Sequence, residues 1–467
     1  MAGPVATTTK SSSGNYASTR YSEMIQKQLL EVTDNEYVFR SATESGAMRG
    51  VSGHSNQLKI NRNRRIAIPM AAVSAEGTPP TPTLLEIDTT TGTADQYVLS
   101  VQFTDVAEIY AFHNLLQQAI GAVKDAMVRL DEYVCSIPFL AATNIHYPNG
   151  VTSRANLTAA DTVNSDLLDV MSAALRRGPN VYGPAKTWKG GNFLTLIHDW
   201  VTRDLRKDPT FVLAETRASK SELWEKGIVA SAWAGSDFKR SNWMPEYYNM
   251  ATGMASLTIN AGAIGVYGTA VSDSTADASL NGFKIKTNEG PGGTFAATTV
   301  YNFRVVARNK LRGFAENISS TLVYTTATGD AGNDKTVTVY MPTSTDYWYD
   351  LYQGSDGGTL YRVSQNVEGT SEQVLTAPAA AGTVAPVPPA VGLTVIPILM
   401  CGQGAVKAVD LRGMESFITP RTPTHEDPAV QLRSLAAKVF EGAFLQQNEW
   451  IRKAEVVTSF ASGNPVA

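Results

Sequence analysis

An α+β chain carrying an inserted all-β domain is what this sequence predicts, on three observations. Two alternating runs, Leu58 to Met70 and Leu85 to Phe103, read as the arms of an extended β-hairpin. Asp105 to Val134 reads as one long amphipathic helix. From about Ala255 the composition shifts to Thr, Ser, Gly and Ala with short alternating strands, and buried-strand runs flank that stretch on both sides.

Residues 1–56 read as an arm. Residues 1–19 are rich in Ala, Thr and Ser, Arg20 to Val32 has the stripe of a short helix, and residues 41–56 return to Gly, Ser and Asn. In the first hairpin arm Leu58, Ile60, Ile66, Ile68 and Met70 share a face with Arg62 and Arg64 between them. In the second, Tyr97, Leu99, Val101 and Phe103 share one. At roughly 3.3 Å per residue the first arm spans about 40 Å, longer than a usual strand. No second layer in the sequence covers it, so a neighbouring copy of the chain is the economical cover. The tip, Ala71 to Leu84, contains Pro79, Pro80 and Pro82, which cannot donate ladder hydrogen bonds, so it reads as an irregular loop.

The long helix carries Val106, Ile109, Phe112, Leu116, Ile120, Val123, Met127, Leu130 and Val134 at spacings of three and four. Asp105 suits its N-cap with Glu108 completing a capping box, and Pro138 is expected to stop it. A second helix is expected over Asp161 to Arg177, with Val163, Leu167, Val170 and Leu175 inward and Gly178-Pro179 ending it. Phe193 to Ile197 reads as a buried strand, Asp199 to Leu205 as a helix, and Ile228 to Phe238 as strand with turns.

Within residues 255–390 the strand signals are Tyr301, Phe303, Val305 and Ala307, then Val337, Val339 and Met341, then Tyr347, Tyr349 and Leu351. Short strands with regular turns favour a β-sandwich. A Pro/Ala linker closes the stretch. Leu393 to Met400 is then again a buried-strand run like those before Ala255, as an inserted module requires. Leu411 to Ile418 follows. Ala436 to Leu445 and Trp450 to Phe460 are expected to pair antiparallel.

The chain has 39 basic and 43 acidic residues, a formal net charge of −4, which is no signature of a protein gripping nucleic acid over its whole surface. Cys135 and Cys401 match no metal or redox spacing and read as reduced, buried thiols. The polar N-terminus has no apolar core and reads as no secretory signal, and no apolar run reaches the ~18 residues of a membrane span. His54, His113, His146, His198 and His425 are scattered singly, and His198 reads as a hydrogen-bonded structural residue. Nucleotide-binding, zinc-protease and hydrolase motifs are missing, so neither enzyme chemistry nor a cofactor is expected. The densest basic cluster, Lys59, Arg62, Arg64 and Arg65, suits contact with phosphates or with acidic groups of a partner subunit, or a solvated hairpin face; because Arg62 and Arg64 interrupt an apolar face, the intersubunit contact is the expectation.

INRNRRIAIP (60–69), the tip Glu76-Gly77 with Pro79-Pro80, and YVLSVQFTDVAEIY (97–110) come in an order that resembles the major capsid proteins of tailed bacteriophages. LDVMSAALRRG (168–178), the 194–211 and 228–245 segments, and Asp427-Pro428 continue it. The likeness is to the Hong Kong 97-type fold, in the branch of the phage N-four coat protein, and spans about two thirds of the chain. The stretch from Thr299 to Asn309 is similar to part of a fibronectin type III or immunoglobulin-like domain, with Tyr340 where such domains often hold a core Trp.

The resemblance implies a division into arm (1–56), extended hairpin loop (57–104), peripheral domain with spine helix (105–185 and 411–467), axial domain (186–254 and 391–410) and inserted immunoglobulin-like domain (255–390). It implies pentamers and hexamers of the chain in an icosahedral virion head around double-stranded DNA, made in the bacterial host cytoplasm, with portal and scaffolding or decoration proteins as partners and no membrane. Arg62, Arg64, Arg65, Glu76, Pro79 and Pro80 would lie at contacts between subunits. The alternative is an encapsulin-like shell enclosing protein cargo. The insert is expected to be dispensable for the fold of the rest.

Overall fold

The computed structural model describes residues 37–47, 57–66, 68, 84–104, 115–178, 182–188, 191–210, 232–233, 235–249, 278–280, 283–288, 293–296, 299–319, 321–325, 336–341, 346–369, 372–390, 392–418 and 432–459. In chain order the strands are β1 (Glu44–Ala47), β2 (Gln57–Asn63), β3 (Ile87–Thr93), β4 (Asp95–Thr104), β5 (Ile145–His146), β6 (Phe193–His198), β7 (Ala232–Trp233), β8 (Ser236–Ser241) and β9 (Tyr248–Asn249). The inserted region adds β10 (Ala278–Leu280), β11 (Phe283–Asn288), β12 (Val300–Asn309), β13 (Ala315–Ile318), β14 (Leu322–Thr325), β15 (Thr336–Tyr340), β16 (Tyr347–Ser355), β17 (Tyr361–Glu368) and β18 (Glu372–Leu375). The chain ends with β19 (Val395–Cys401), β20 (Val406–Ile418), β21 (Leu432–Leu445) and β22 (Ile451–Val457). Two units result. One holds residues 1–142, 178–186 and 403–450; the other holds 143–177, 187–402 and 451–467.

The first unit is a sheet of order β1-β20-β21-β4 under the helix Leu115–Leu140. Val123 and Met127 of the helix bury against Leu435, Ala437 and Val439 of β21 and the Tyr97, Leu99 and Val101 face of β4. That packing corrects the reading of the second hairpin arm. The arm breaks at buried Ala94: β3 pairs with β2, whereas β4 pairs with β21. Its apolar face has a partner in the helix, and the close approach of the strands requires glycine. A Cβ on Gly92 would enter the Phe444 ring, and one on Gly442 would meet the Thr93 carbonyl.

The helix phase also shifts from the expected one. Ala119 joins the inward side and Ile120 is 43% exposed. Pro138 does not stop the helix, which runs on to Leu140, with Ala141 N–H donating to the Ile137 carbonyl at 3.0 Å. In its last turns Pro138 forgoes a single bond. Asp105, Val106, Ile109 and Phe112 lie outside the described residues.

Buried Glu132 of this helix caps the short helix Phe39–Ala42. Its carboxylate accepts the N–H groups of Val38 and Phe39 at 2.5 Å and of Arg40 at 3.0 Å. Those are orphan donors that any helix N-terminus must satisfy. Removing the carboxylate in Glu132→Ala strands three donors, which is expected to loosen this segment by about 1–3 kcal/mol. Limited trypsin digestion checks it: the variant is cut at Arg40 while the rest of the chain resists, and equal resistance in both proteins refutes the docking.

The second unit has a sheet of order β5-β22-β19-β6-β8-β7, with β6 and β19 buried along their whole length. Here the expected β21–β22 pair fails. β22 pairs with β19 and β5, β21 with β20 and β4, and the turn Asn448–Trp450 separates them. The second helix runs Ser165–Arg177, capped by Asn164, whose side chain accepts the Leu167 N–H at 2.8 Å. Asp161 instead closes a turn with Thr158 and Asn149, and Val170 is 54% exposed while Leu168 and Met171 point inward.

The inserted region is a β-sandwich. Ile285, Val337, Val339 and Leu375 of one sheet (β10-β11-β15-β18) meet Phe303, Val305, Tyr349 and Leu351 of the other (β17-β16-β12-β13-β9). Tyr340 faces outward, because Val337, Val339 and Met341 take the inward alternation; Tyr324 and Tyr349 are the large buried core aromatics instead.

The back of this sandwich is not free. Val306, Ile318, Tyr352, Leu360 and Ala385 bury against Leu157, Tyr247, Val395 and Val457. β9, which precedes the inserted region, joins its sheet parallel to β13. This packing speaks against a detachable insert.

Candidate assembly surface

The β2–β3 hairpin is built from its root outward. Leu58 and Ile60 close over Ala94, Val409 and Phe444, so the root is part of a core. Arg62 continues that face and lies over the Tyr182 ring, 3.2 Å from its centroid. Register sets Arg62 opposite Asp88. One residue beyond the strand, Arg64 forks onto Asp88, with Nε and Nη2 donating to the two carboxylate oxygens at 2.9 and 3.0 Å. Its Nη1 donates to Glu86 at 2.7 Å. The Tyr182 hydroxyl also donates to Asp88. Arg64 above all, then Tyr182, holds the Asp88 carboxyl below the usual carboxylate range. Arg65 lies against Gly183, where a Cβ would collide with its guanidinium.

Further out, the described residues of the hairpin include exposed aliphatic side chains. Ile68 is 79% and Leu84 86% exposed, and Ile66, Leu85 and Ile87 are exposed beside them. Single exposed aliphatics are ordinary, but five among the described residues of one short element are more than a solvated hairpin needs. Exposed ion pairs such as Arg64–Glu86 contribute little.

Of the residues expected at subunit contacts, Arg62, Arg64 and Arg65 come together here, each with a partner in its own chain. Glu76, Pro79 and Pro80 lie outside the described residues. Sequence reasoning missed Glu86, Asp88 and Tyr182. The first two were findable, because antiparallel pairing sets an acidic Glu-x-Asp run opposite the arginines. Nothing local signals Tyr182.

Other polar groups are held by hydrogen bonds within the fold. His198 is buried. Its Nδ1 accepts the Trp200 N–H at 3.1 Å, and burial lowers its pKa although Glu246 lies 3.6 Å from Nε2. Arg154 forms a buried double bond pair with Glu455, at 2.8 and 2.5 Å, covers the Tyr247 ring, and donates to the Val387 carbonyl at 3.0 Å. An open cavity of about 340 Å³ contains Asp204 and Asp208, whose carboxylates accept the Ser459 and Ser165 N–H groups. Cys135 and Cys401 are free buried thiols, and burial pushes Cys401 up to about 12. Among the described residues no His, Cys, Asp and Glu group could hold a metal ion, and no helix is long and apolar enough to cross a membrane.

No family model and no curated protein sequence matches the chain. Solved structures do. The capsid chain of Cyanophage Pam1 is 9% identical, with 96% of this chain and 99% of that chain covered at a TM-score of 0.50. The Cyanophage P-SCSP1u capsid (11% identical, 93% of each chain, TM-score 0.47) and the acid-stable capsid of Helicobacter pylori bacteriophage KHP30 (9%, 94% and 96%, 0.47) are also similar. The Pam1 likeness extends over nearly the whole length of both chains, and on it the chain has the α+β, Hong Kong 97-type fold of phage capsid subunits.

Proposed function

We propose that this chain is the major capsid protein of a tailed bacteriophage, a structural subunit that self-assembles as pentamers and hexamers into the icosahedral head around double-stranded DNA. The observation that carries the reading is the hairpin: a root built into the subunit core, and an aliphatic end that stands exposed among the described residues. The fold shared with the Pam1 capsid chain supports it.

In this reading the β2–β3 hairpin (57–93) lies over a neighbouring subunit, with Arg62, Arg64, Arg65, Glu76, Pro79 and Pro80 at the contact. The first unit, with the long helix, takes the peripheral place between capsomers, the β5-β22-β19-β6-β8-β7 sheet of the second unit surrounds each local axis, and the immunoglobulin-like insert (255–390) faces outward. The chain is made in the host cytoplasm and resides in the virion, with portal and scaffolding or decoration proteins beside it. The net charge of −4 suits a shell that contains DNA without gripping it.

The test is sedimentation of the chain expressed alone and purified. Closed particles with a sharp concentration threshold are expected. A monomer at every concentration refutes self-assembly, and particles from infected cells holding protein cargo in place of DNA refute the viral head.

A further inference from the structure

Tyr182 grips both strands of the hairpin at once. Its ring takes the Arg62 guanidinium of β2 on its face, at 3.2 Å, and its hydroxyl donates to Asp88 of β3, which Arg64 also holds. Among the described residues Arg62 Nη1 is buried without a hydrogen-bond partner, and the ring face is what lies against it, with Asp88 opposite on β3. The backbone around Tyr182 is shaped to the same end. Gly183, at φ +84°, leaves the space that Arg65 occupies, and its carbonyl sits where a Cβ on Gly178 would be. The strap that carries Tyr182 is anchored by Gln403 N–H donating to the Lys186 carbonyl at 2.7 Å.

The ladder between β2 and β3 keeps the two strands together but says nothing about where the pair points. At the root, orientation comes from Leu58 and Ile60 against Phe444; further out it comes from Tyr182.

We propose that Tyr182 is the positioning residue for assembly, holding the hairpin in the free subunit at the angle a neighbouring copy receives. This rests on the hairpin being the intersubunit contact. A subunit whose competent orientation is only a fraction of its population binds more weakly by that fraction. Pre-orientation therefore shows up as a lower assembly threshold and changes the stability of the fold little.

The experiment uses the full chain below its assembly threshold, with spin labels at Asn63→Cys and Ser416→Cys, and compares the unmodified protein with Tyr182→Ala, Tyr182→Phe and Tyr182→Leu. Expected is a narrow label distance in the unmodified chain, a broad one in Tyr182→Ala and Tyr182→Leu, and a near-normal one in Tyr182→Phe, which keeps the ring. The variants should stay folded with melting temperatures lowered by a few degrees at most, while the assembly threshold of the folded chain rises roughly tenfold or more in the Ala and Leu variants and is largely rescued in Phe. The Leu variant retains apolar volume and stands in should the Ala variant fold poorly. A distance that stays narrow without the ring overturns the positioning role, whatever happens to assembly. A broad distance with an unchanged threshold leaves Tyr182 orienting the hairpin but overturns the hairpin as the contact.

Discussion

Chains carrying Ile68→Asp together with Leu84→Asp are expected to fold normally and to remain free subunits. Both side chains are largely exposed in the isolated chain, at 79% and 86%, so a carboxylate at either place is solvated and the cost to folding is within about 0.5 kcal/mol. At the proposed contact the same carboxylates would be buried against a neighbour, at a cost of roughly 2–5 kcal/mol each. Repeated in every subunit, even the lower value moves the threshold beyond reach. Circular dichroism and sedimentation velocity decide it: an unaltered spectrum with small species supports the contact, and normal particles exclude it. This pair is a cleaner probe than charge reversal at Arg62 and Arg64. Reversal there also sets carboxylates against Asp88 and Glu86 of the same hairpin.

Removing the sandwich is expected to leave an insoluble chain. Replacing residues 261–389 by a short linker uncovers Leu157, Tyr247, Val395 and Val457, takes β13 away from β9, and deprives Arg154 of the Val387 carbonyl. The milder variant Arg154→Ala isolates that seam. It leaves Glu455 buried with the Tyr147 hydroxyl at 3.4 Å and Lys453 at 3.7 Å, so unfolding should become easier by about 3–5 kcal/mol, toward the lower value because of those two partners. Solubility of the deletion and chemical denaturation of Arg154→Ala are the measurements. A soluble, folded deletion variant returns the inserted region to the status of a detachable module.

What was legible in the sequence is what local pattern determines. The strand alternation of Tyr301 to Ala307, the buried run Phe193 to Ile197, the helix Asp199 to Leu205 and the exposed aliphatic end of the hairpin all follow from side-chain period and turn chemistry. What failed depends on partners distant in the chain. β4 follows β3 with only Ala94 between, yet its apolar face belongs to the long helix and its edge to β21. β21 and β22 are close in sequence but lie in different sheets, because β22 completes the layer of β19. Ile120 and Val170 fit their stripes by spacing, but neighbours at Ala119 and Met171 take the inward positions. At the candidate surface the arginine cluster was legible, whereas Tyr182, reached only through the fold, was not.

Electron cryo-microscopy of the purified chain tests the assembly role of the hairpin most directly. Closed icosahedral shells of pentamers and hexamers are expected, with density for Ile68 and Leu84 lying against a neighbouring subunit. Discrete soluble monomers, or shells in which both side chains face solvent, would contradict it.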